Sequence, residues 1–201
     1  MEQPTRAFAA FEIPDETKEG IGRFIEEIRP RPGAFDLKWV SSKIIHITVR
    51  FFGDLDLKQL GKARAAIRSL DRAWDPPRLS IGPVGAFPSA RRPQVVWLGV
   101  EDPDGSLRDL AAAADRAIRV AGFGAADKPF VGHLTLARLR RGLRSPSLEE
   151  IVGGLTPPGG PLTIGSITLF KSDLRPGGPV HTPLECARPR QDLADEDRQG
   201  T

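Results

Sequence analysis

His46-Ile47-Thr48-Val49 and His133-Leu134-Thr135-Leu136 share one pattern, His, apolar, Thr, apolar, and these two stretches decide the fold. Strict alternation is typical of a β-strand, in which successive side chains face opposite sides of the sheet. His and Thr then share one face, and the apolar residues point into a core. The chain has only three histidines. If the two strands meet, two imidazoles and two hydroxyls converge on one cleft, a set suited to acid–base chemistry.

The composition indicates a globular protein. Hydrophobic residues make up 39% of the 201 positions, enough for a core and too many for disorder. The single cysteine, Cys186, excludes an internal disulfide and a thiolate metal cluster. The formal charge of +3 does not require a nucleic-acid partner, but it permits an anionic substrate near the Arg-rich stretch 138–144.

Neither a membrane nor a secretory segment is expected. No apolar run approaches the ~18–20 residues that a membrane helix needs. The first fourteen residues lack the basic start and long apolar stretch of a signal peptide. We therefore expect a cytoplasmic protein, without a membrane partner and acting as a monomer.

The order of predicted elements is the same in the two halves of the chain. Each half reads β-α-β-α-β, and the spacing from Phe8 to His46 equals that from Val95 to His133. We expect an α+β fold with two pseudo-symmetric lobes, about 1–90 and 91–187, whose mainly antiparallel sheets flank a central cleft. Residues 188–201 are polar and charged, and we expect them to be a disordered tail. The predicted strands are 6–13, 44–52, 78–86, 94–100, 131–139 and 163–170, with helices after Asp15 and at 56–71, 105–121 and 147–152.

The paired motifs and their flanks resemble the RNA 2′,3′-cyclic phosphodiesterases, also described as 2′-5′ RNA ligases, of the two-histidine phosphoesterase superfamily. The resemblance runs from about residue 6 to residue 187. The flanking segments that match are 6–14 (RAFAAFEIP), 39–40 (WV), 51–53 (FFG), 96–99 (VWLG), 128–130 (KPF), 137–138 (AR) and 169–174 (LFKSDL).

The resemblance implies the chemistry and the site. It implies that a 2′,3′-cyclic phosphate at an RNA end is opened to a 2′-phosphate, with reverse 2′-5′ ligation as a further activity, and that no metal or cofactor is needed. By the same resemblance His46 is the general acid that protonates the leaving O3′, and His133 is the general base that takes a proton from water. Thr48 and Thr135 bind the phosphate. An imidazole pKa near 6.5 suits both roles at neutral pH.

Three further residues are candidates for substrate contact. Strand parity places Arg138 on the face opposite His133 unless a bulge intervenes, whereas the family pattern places it at the phosphate. Phe130 is a candidate for base stacking, although core packing is favoured. Family members often carry a tyrosine after the Pro-Gly-rich turn; this chain has none, and His181, near that place, is a candidate substrate contact or an ordinary edge-strand residue.

The same sequence features are compatible with other functions. An enzyme of the same superfamily acting on another cyclic nucleotide phosphate, or on a 2′-5′ oligonucleotide, has the same motifs. A non-catalytic RNA-binding module is the alternative outside enzymology, although the strands lack the paired aromatic motif of an RNA-recognition module. A three-histidine metallohydrolase is disfavoured by the separation of the histidines and by the missing carboxylate motif.

Overall fold

The computed structural model describes residues 3–140, 146–176 and 178–190. Within them the chain forms nine strands, four α-helices and two short 3₁₀ turns. The strands are β1 (Thr5–Glu12), β2 (Leu37–Trp39), β3 (Ile47–Leu55), β4 (Leu79–Phe87), β5 (Val95–Glu101), β6 (His133–Leu139), β7 (Pro161–Leu162), β8 (Ser166–Arg175) and β9 (Gly178–Ala187). The helices are α1 (Asp15–Ile28), α2 (Leu57–Arg68), α3 (Ser106–Val120) and α4 (Leu148–Val152).

The described strands form one antiparallel sheet with two halves. The order is β7-β4-β5-β6-β3-β1-β8-β9, and β2 pairs with β6 beside this path. A single residue pair, Ile47–Leu134, joins β3 to β6 at the centre. The sheet therefore divides into a β3-β1-β8-β9 half and a β7-β4-β5-β6 half that meet along the two motif strands.

The two halves repeat with a constant offset. His133 follows His46 by 87 positions, and β8 begins 87 positions after β4. The pairs Phe11–Ile47 and Leu98–Leu134 are separated by the same offset. The predicted α+β fold with pseudo-symmetric antiparallel sheets is therefore confirmed.

The lobes do not follow the predicted boundary near residue 90. β4, from the first half of the chain, pairs with β5, and β8, from the second half, pairs with β1. Each half of the sheet thus takes its third strand from the other half of the chain. Local alternation predicts that a segment is a strand but not which strand it pairs with, so this exchange was not visible in the sequence.

The helices cover one face of the sheet and leave the other for the cleft. Ile47 and Leu134 are 0% exposed and lie in a core with the apolar faces of α1, α2 and α3. A small separate cluster on the opposite face contains Phe8, Ala10 and Phe170. Because strand residues alternate, burying Ile47 and Leu134 under the helices turns the motif histidines and threonines to the cleft side.

The chain after β9 departs from the predicted tail. The backbone amide of Arg72 donates to the carbonyl of Arg188, and the amide of Arg190 donates to the carbonyl of Trp74. Residues 188–190 are therefore held against the segment after α2, whereas 191–201 lie outside the described residues. Within the part that is described, none of the helices combines the length and apolar character needed to span a bilayer.

Candidate active site

The Ile47–Leu134 pair sets the geometry of the site. Continuing this antiparallel register by one residue places His46 opposite Thr135 and Thr48 opposite His133. All four side chains lie on the face away from the helices. The structure therefore brings the two motifs together as the sequence predicts, around the local twofold axis that relates them.

Both histidines are held through the same ring nitrogen. The Nδ1 of His46 lies 2.8 Å from the carbonyl oxygen of Ile44, and the Nδ1 of His133 lies 2.7 Å from that of Val131. A carbonyl oxygen only accepts, so Nδ1 carries the hydrogen in both rings. Nε2 is then the nitrogen that accepts a proton in the neutral ring and donates one in the charged ring.

The surroundings of His46 are aromatic. Its ring stacks on Phe8 at a centroid distance of 4.8 Å and meets His181 edge-on at 5.6 Å. Burial lowers the pKa of His46 to about 4, although its hydrogen bond to Ile44 and the charge of Glu12 act in the opposite direction. Without substrate, His46 is therefore neutral at pH 7.

His133 has a different set of neighbours. Its ring meets Phe87 edge-on at 5.2 Å and Trp97 at 6.2 Å. Burial lowers the pKa of His133, the hydrogen bond to Val131 opposes this, and the charge of Arg138 lowers the pKa further. A neutral imidazole is a proton acceptor, so this environment suits a base.

A β-bulge explains why Arg138 reaches the cleft. Trp97 pairs with Thr135 and Val96 pairs with Ala137, so Leu136 is an extra residue on β6. The bulge reverses the alternation beyond it, and Arg138 lines the same cleft as Thr135. Simple strand parity was therefore wrong for Arg138, and the position implied by the family resemblance agrees with the structure.

The matching bulge in β3 identifies a residue that the sequence interpretation missed. Ala10 pairs with Thr48 and Ala9 pairs with Arg50, so Val49 is the extra residue. Beyond it, Phe51 lines the cleft at 57% exposure. Phe51 precedes Arg138 by 87 positions, so an aromatic ring and a guanidinium occupy equivalent places. The adjacent pair Phe51-Phe52 was the available signal, since two neighbouring large apolar residues cannot share one face of a regular strand.

The cleft has a volume of about 310 Å³. His181 lies in its wall, half-buried, with its ring 4.8 Å from that of Phe8. Its position on β9 thus supports the interpretation as a candidate contact over that of an edge-strand residue remote from the site. Arg6 and Ser172 also line the cleft and were not singled out from the sequence. The cleft thus carries two arginines, Arg6 and Arg138, beside the motif side chains.

Phe130 lies where the sequence favours it, against the core, whereas Trp97 lies beside the site. Phe130 packs against the main core and meets Phe11 edge-on at 6.2 Å, so its position does not support a substrate contact. Trp97 is half-buried beside His133. A Cβ on Gly85 would collide with the Trp97 ring, so a glycine at position 85 makes room for this indole.

The described residues hold no cluster of three or more His, Cys, Asp or Glu side chains placed to bind a metal ion. The Arg-rich stretch of the sequence is described only as far as Arg140, because 141–145 lie outside the described residues. The chemistry that the described cleft offers is therefore that of two histidines, two threonines and the cleft arginines.

Two His-x-Thr strands that meet across a cleft in a pseudo-symmetric sheet define the class of two-histidine phosphoesterases. The sequence model of the 2′-5′ RNA ligase superfamily matches residues 17–176, and the chain belongs to this superfamily. The family resemblance of the motifs is thereby confirmed.

Two relatives are similar in sequence to this chain over nearly the whole length of both proteins. The RNA 2′,3′-cyclic phosphodiesterase of Methanothermobacter thermautotrophicus is 30% identical over 184 residues, which are 91% of this chain and 98% of that protein. A protein of the same name from Thermus thermophilus is 30% identical in an alignment that covers 97% of this chain and 96% of the relative.

Solved structures show the same fold. The Thermus thermophilus protein TT0787 is 29% identical, with a TM-score of 0.72 over 93% of this chain and 99% of that one. E. coli LigT complexed with 3′-AMP is 23% identical, with a TM-score of 0.70 over 94% and 99% of the two chains. The second likeness supports the fold alone.

Proposed function

We propose that this chain hydrolyses 2′,3′-cyclic phosphate ends of RNA to 2′-phosphates by acid–base catalysis between His46 and His133. The observation that carries the proposal is the arrangement of two imidazoles, each fixed through Nδ1, across from two threonines on the cleft face. The names of the relatives supply the substrate class. The superfamily name adds 2′-5′ linkage as the reverse step.

The reaction needs one proton acceptor and one proton donor. The neutral Nε2 of His133 takes a proton from water as the water oxygen forms a bond to phosphorus. The P–O3′ bond breaks, and the charged Nε2 of His46 gives its proton to O3′. The products are a 2′-phosphate and a free 3′-hydroxyl, and the two histidines have exchanged protonation states, which solvent restores.

The phosphate contacts follow from the cleft lining. The hydroxyls of Thr48 and Thr135 donate to the non-bridging oxygens, where negative charge develops as water attacks. Arg138 contributes a positive charge from the end of β6. Hydrogen bonds to charged groups are worth about 1.5–3 kcal/mol each, so these three groups hold the phosphate between the histidines.

The rest of the nucleotide meets Phe51 and His181. The exposed ring of Phe51 offers a flat apolar face to the base, and stacking of this kind is worth ~1–3 kcal/mol per base. His181, on β9, contacts the substrate from the side of His46. Arg6 extends the positive surface toward the next phosphate of the RNA.

Substrate binding reconciles the low pKa of His46 with its role as an acid. A phosphate anion within hydrogen-bond reach raises the pKa of an imidazole by about 1–3 pH units. His46 is neutral without substrate and takes up a proton as the anionic substrate binds. His133 faces the opposing influence of Arg138 and stays neutral.

The experiment is an incubation with a short RNA ending in a 2′,3′-cyclic phosphate, with EDTA present and absent. We expect a 2′-phosphate product under both conditions. A cyclic phosphate on an ADP-ribose derivative and a 2′-5′ linked oligonucleotide complete the panel. Supplying a second RNA with a free 5′-hydroxyl tests the ligation direction, which is the same step run backwards.

Each other result contradicts a stated part of the proposal. A 3′-phosphate product means that O2′ leaves, which contradicts the assigned regiochemistry. If only another member of the panel is turned over, the substrate class proposed here is wrong and that member defines it. Binding of RNA without turnover by folded protein supports the non-catalytic binding module, and loss of activity with EDTA contradicts metal independence.

A further inference from the structure

A carboxylate, that of Glu12, lies at the C-terminal end of β1. The Oε2 of Glu12 accepts hydrogen bonds from the hydroxyls of Ser166, at 2.7 Å, and Thr168, at 2.5 Å. Both hydroxyls are buried on β8. Two donors from one strand converging on one oxygen fix the position of the Glu12 side chain against β8. The proposed reaction assigns no role to this carboxylate.

The strand register places Glu12 beside His46. Phe11 pairs with Ile47, so the next step along β1 and β3 sets Glu12 opposite His46. Glu12 shares its face with Phe8, on which the His46 ring stacks. The charge of Glu12 accordingly raises the pKa of His46.

The equivalent place in the other half carries no charge. Gly99 follows Glu12 by 87 positions, and it pairs directly with His133. A Cβ at Gly99 would lie 3.3 Å from the carbonyl oxygen of Pro83, so a side chain there is crowded. The charged neighbour of His133 is instead Arg138. The two histidines, alike in backbone geometry, therefore have charges of opposite sign beside them.

We propose that Glu12 is the positioning residue that makes His46 the acid of the pair, by placing a fixed carboxylate beside it where the other half has only Gly99. This inference rests on the proposed function, since it assigns roles within that reaction. Glu12 acts through His46 and does not touch the substrate. It favours the charged imidazole at the moment when O3′ needs a proton, whereas Arg138 keeps the other imidazole neutral and able to accept one.

The other charged groups near His46 do not supply this effect. The titratable and charged side chains that face His46 or line its cleft are Glu12 and Arg6 of β1, His133 and Arg138 of β6, and His181 of β9. Among these five, Glu12 alone is an anion. His181 and His133 lower the pKa of His46, so Glu12 opposes them.

The test is the pH profile of kcat for the wild type, Glu12→Gln, Glu12→Asp and Glu101→Gln on the cyclic phosphate RNA. Gln is nearly isosteric and still accepts from both hydroxyls, so it removes the charge alone. Glu101 is the matched control. This exposed carboxylate on β5 also accepts a hydrogen bond, of 2.8 Å from the hydroxyl of Ser80, but it does not line the cleft.

The limb of the profile at high pH reports the loss of the proton from His46. In Glu12→Gln we expect the midpoint of this limb to move down by about one pH unit. At pH values above the limb, kcat is then about tenfold lower than in the wild type, and KM is unchanged. Glu12→Asp keeps the charge but moves it, so its limb shifts in the same direction by less. Glu101→Gln leaves the profile unchanged. If Glu12→Gln does not fold, Glu12→Asp alone carries the test. An unmoved limb in every Glu12 variant that folds overturns the inference.

A second measurement separates this inference from the proposed function. With only three histidines, the imidazole resonances of His46 and His133 are readily followed by NMR in the free protein. At pH 4 about half of His46 is protonated in the wild type, and we expect about a tenth in Glu12→Gln, with His133 unchanged. If the wild type does not turn over the RNA but this shift is found, the proposed function fails while the charge pairing stands. Equal titration of His46 in both proteins overturns the inference whatever the activity.

Discussion

The two halves of the sheet have the same backbone arrangement around their histidines but different side chains. Each histidine donates from Nδ1 to a carbonyl two residues earlier, and each motif strand carries a bulge three residues after its histidine. Beyond the bulges, one half presents Phe51 and the other Arg138. The repeated backbone therefore sets where the reacting groups stand, and the side chains that differ decide what each half does.

The difference is chemical rather than geometric. His46 lies against Phe8 and His181 with Glu12 beside it, whereas His133 lies against Phe87 and Trp97 with Arg138 beside it. A phosphodiester opening needs two groups in opposite protonation states. An asymmetric pair of environments on a symmetric scaffold meets this need.

The largest expected effect is that of removing either motif histidine, because the acid and the base have separate tasks. His46→Asn and His133→Asn each keep a donor in place of Nδ1 but remove Nε2. We expect each to lower kcat by about 10²–10⁴-fold, the usual contribution of one acid or base. His181→Asn is the control, with a much smaller loss. Near-wild-type turnover of the RNA cyclic phosphate by either motif variant would rule out the two-histidine reaction.

The pH dependence of the free energy of unfolding tests the burial of His46. Its pKa is lowered to about 4 in the fold, so between that value and 6.5 the unfolded chain binds a proton that the folded chain does not. The free energy of unfolding therefore rises with pH over this interval, and the contribution is complete above pH 6.5 and lost toward pH 4. Denaturant unfolding should show about 2–3 kcal/mol more loss between pH 7 and pH 4 in the wild type than in His46→Asn. Parallel curves for the two proteins would contradict the burial of a neutral His46.

The threonines test whether the phosphate sits symmetrically. Thr48→Val and Thr135→Val keep shape and remove one hydroxyl each. We expect kcat/KM to fall about 10–100-fold in each, from the loss of a hydrogen bond to a charged oxygen. Similar losses place the phosphate on the local twofold axis. A loss in one variant only would show that a single half of the cleft holds it.

Phe51 gives the smallest expected effect. Phe51→Leu should raise KM about fivefold and leave kcat unchanged, since a stacked ring contributes ~1 kcal/mol or more to binding a base. An RNA whose terminal nucleotide lacks a base should not distinguish this variant from the wild type. Phe35→Leu, at an exposed phenylalanine away from the cleft, is the matched control. Equal KM values for Phe51→Leu and the wild type on the normal RNA would remove Phe51 from the site.

The strands and the paired motifs could be predicted from sequence because alternation is a local signal. His46-x-Thr48 and His133-x-Thr135 each specify their own face once the apolar residues between them are buried. The repeated spacing then predicts that they meet.

The rest depends on non-local pairing. The exchange of β4 and β8 between halves is decided by which edges are free when the sheet assembles, and no local pattern records it. The bulge at Leu136 leaves no local signal in the run 133–139, so strand parity misplaced Arg138. For the bulge at Val49 the adjacent pair Phe51-Phe52 was the one signal, and Phe51 was missed. The sequence shows Glu12 as one acidic residue at the end of an apolar strand. That it lies opposite His46 follows only from the strand register.

The assignment of roles is tested most directly with a leaving group that needs no proton. In a 2′,3′-cyclic phosphate with sulfur in place of the bridging O3′, the departing thiolate is stable without protonation. We predict that His46→Asn turns over this substrate nearly as well as the wild type, while His133→Asn remains inactive on it. Rescue of His133→Asn with His46→Asn still inactive would reverse the roles, and rescue of neither variant would contradict the division into acid and base.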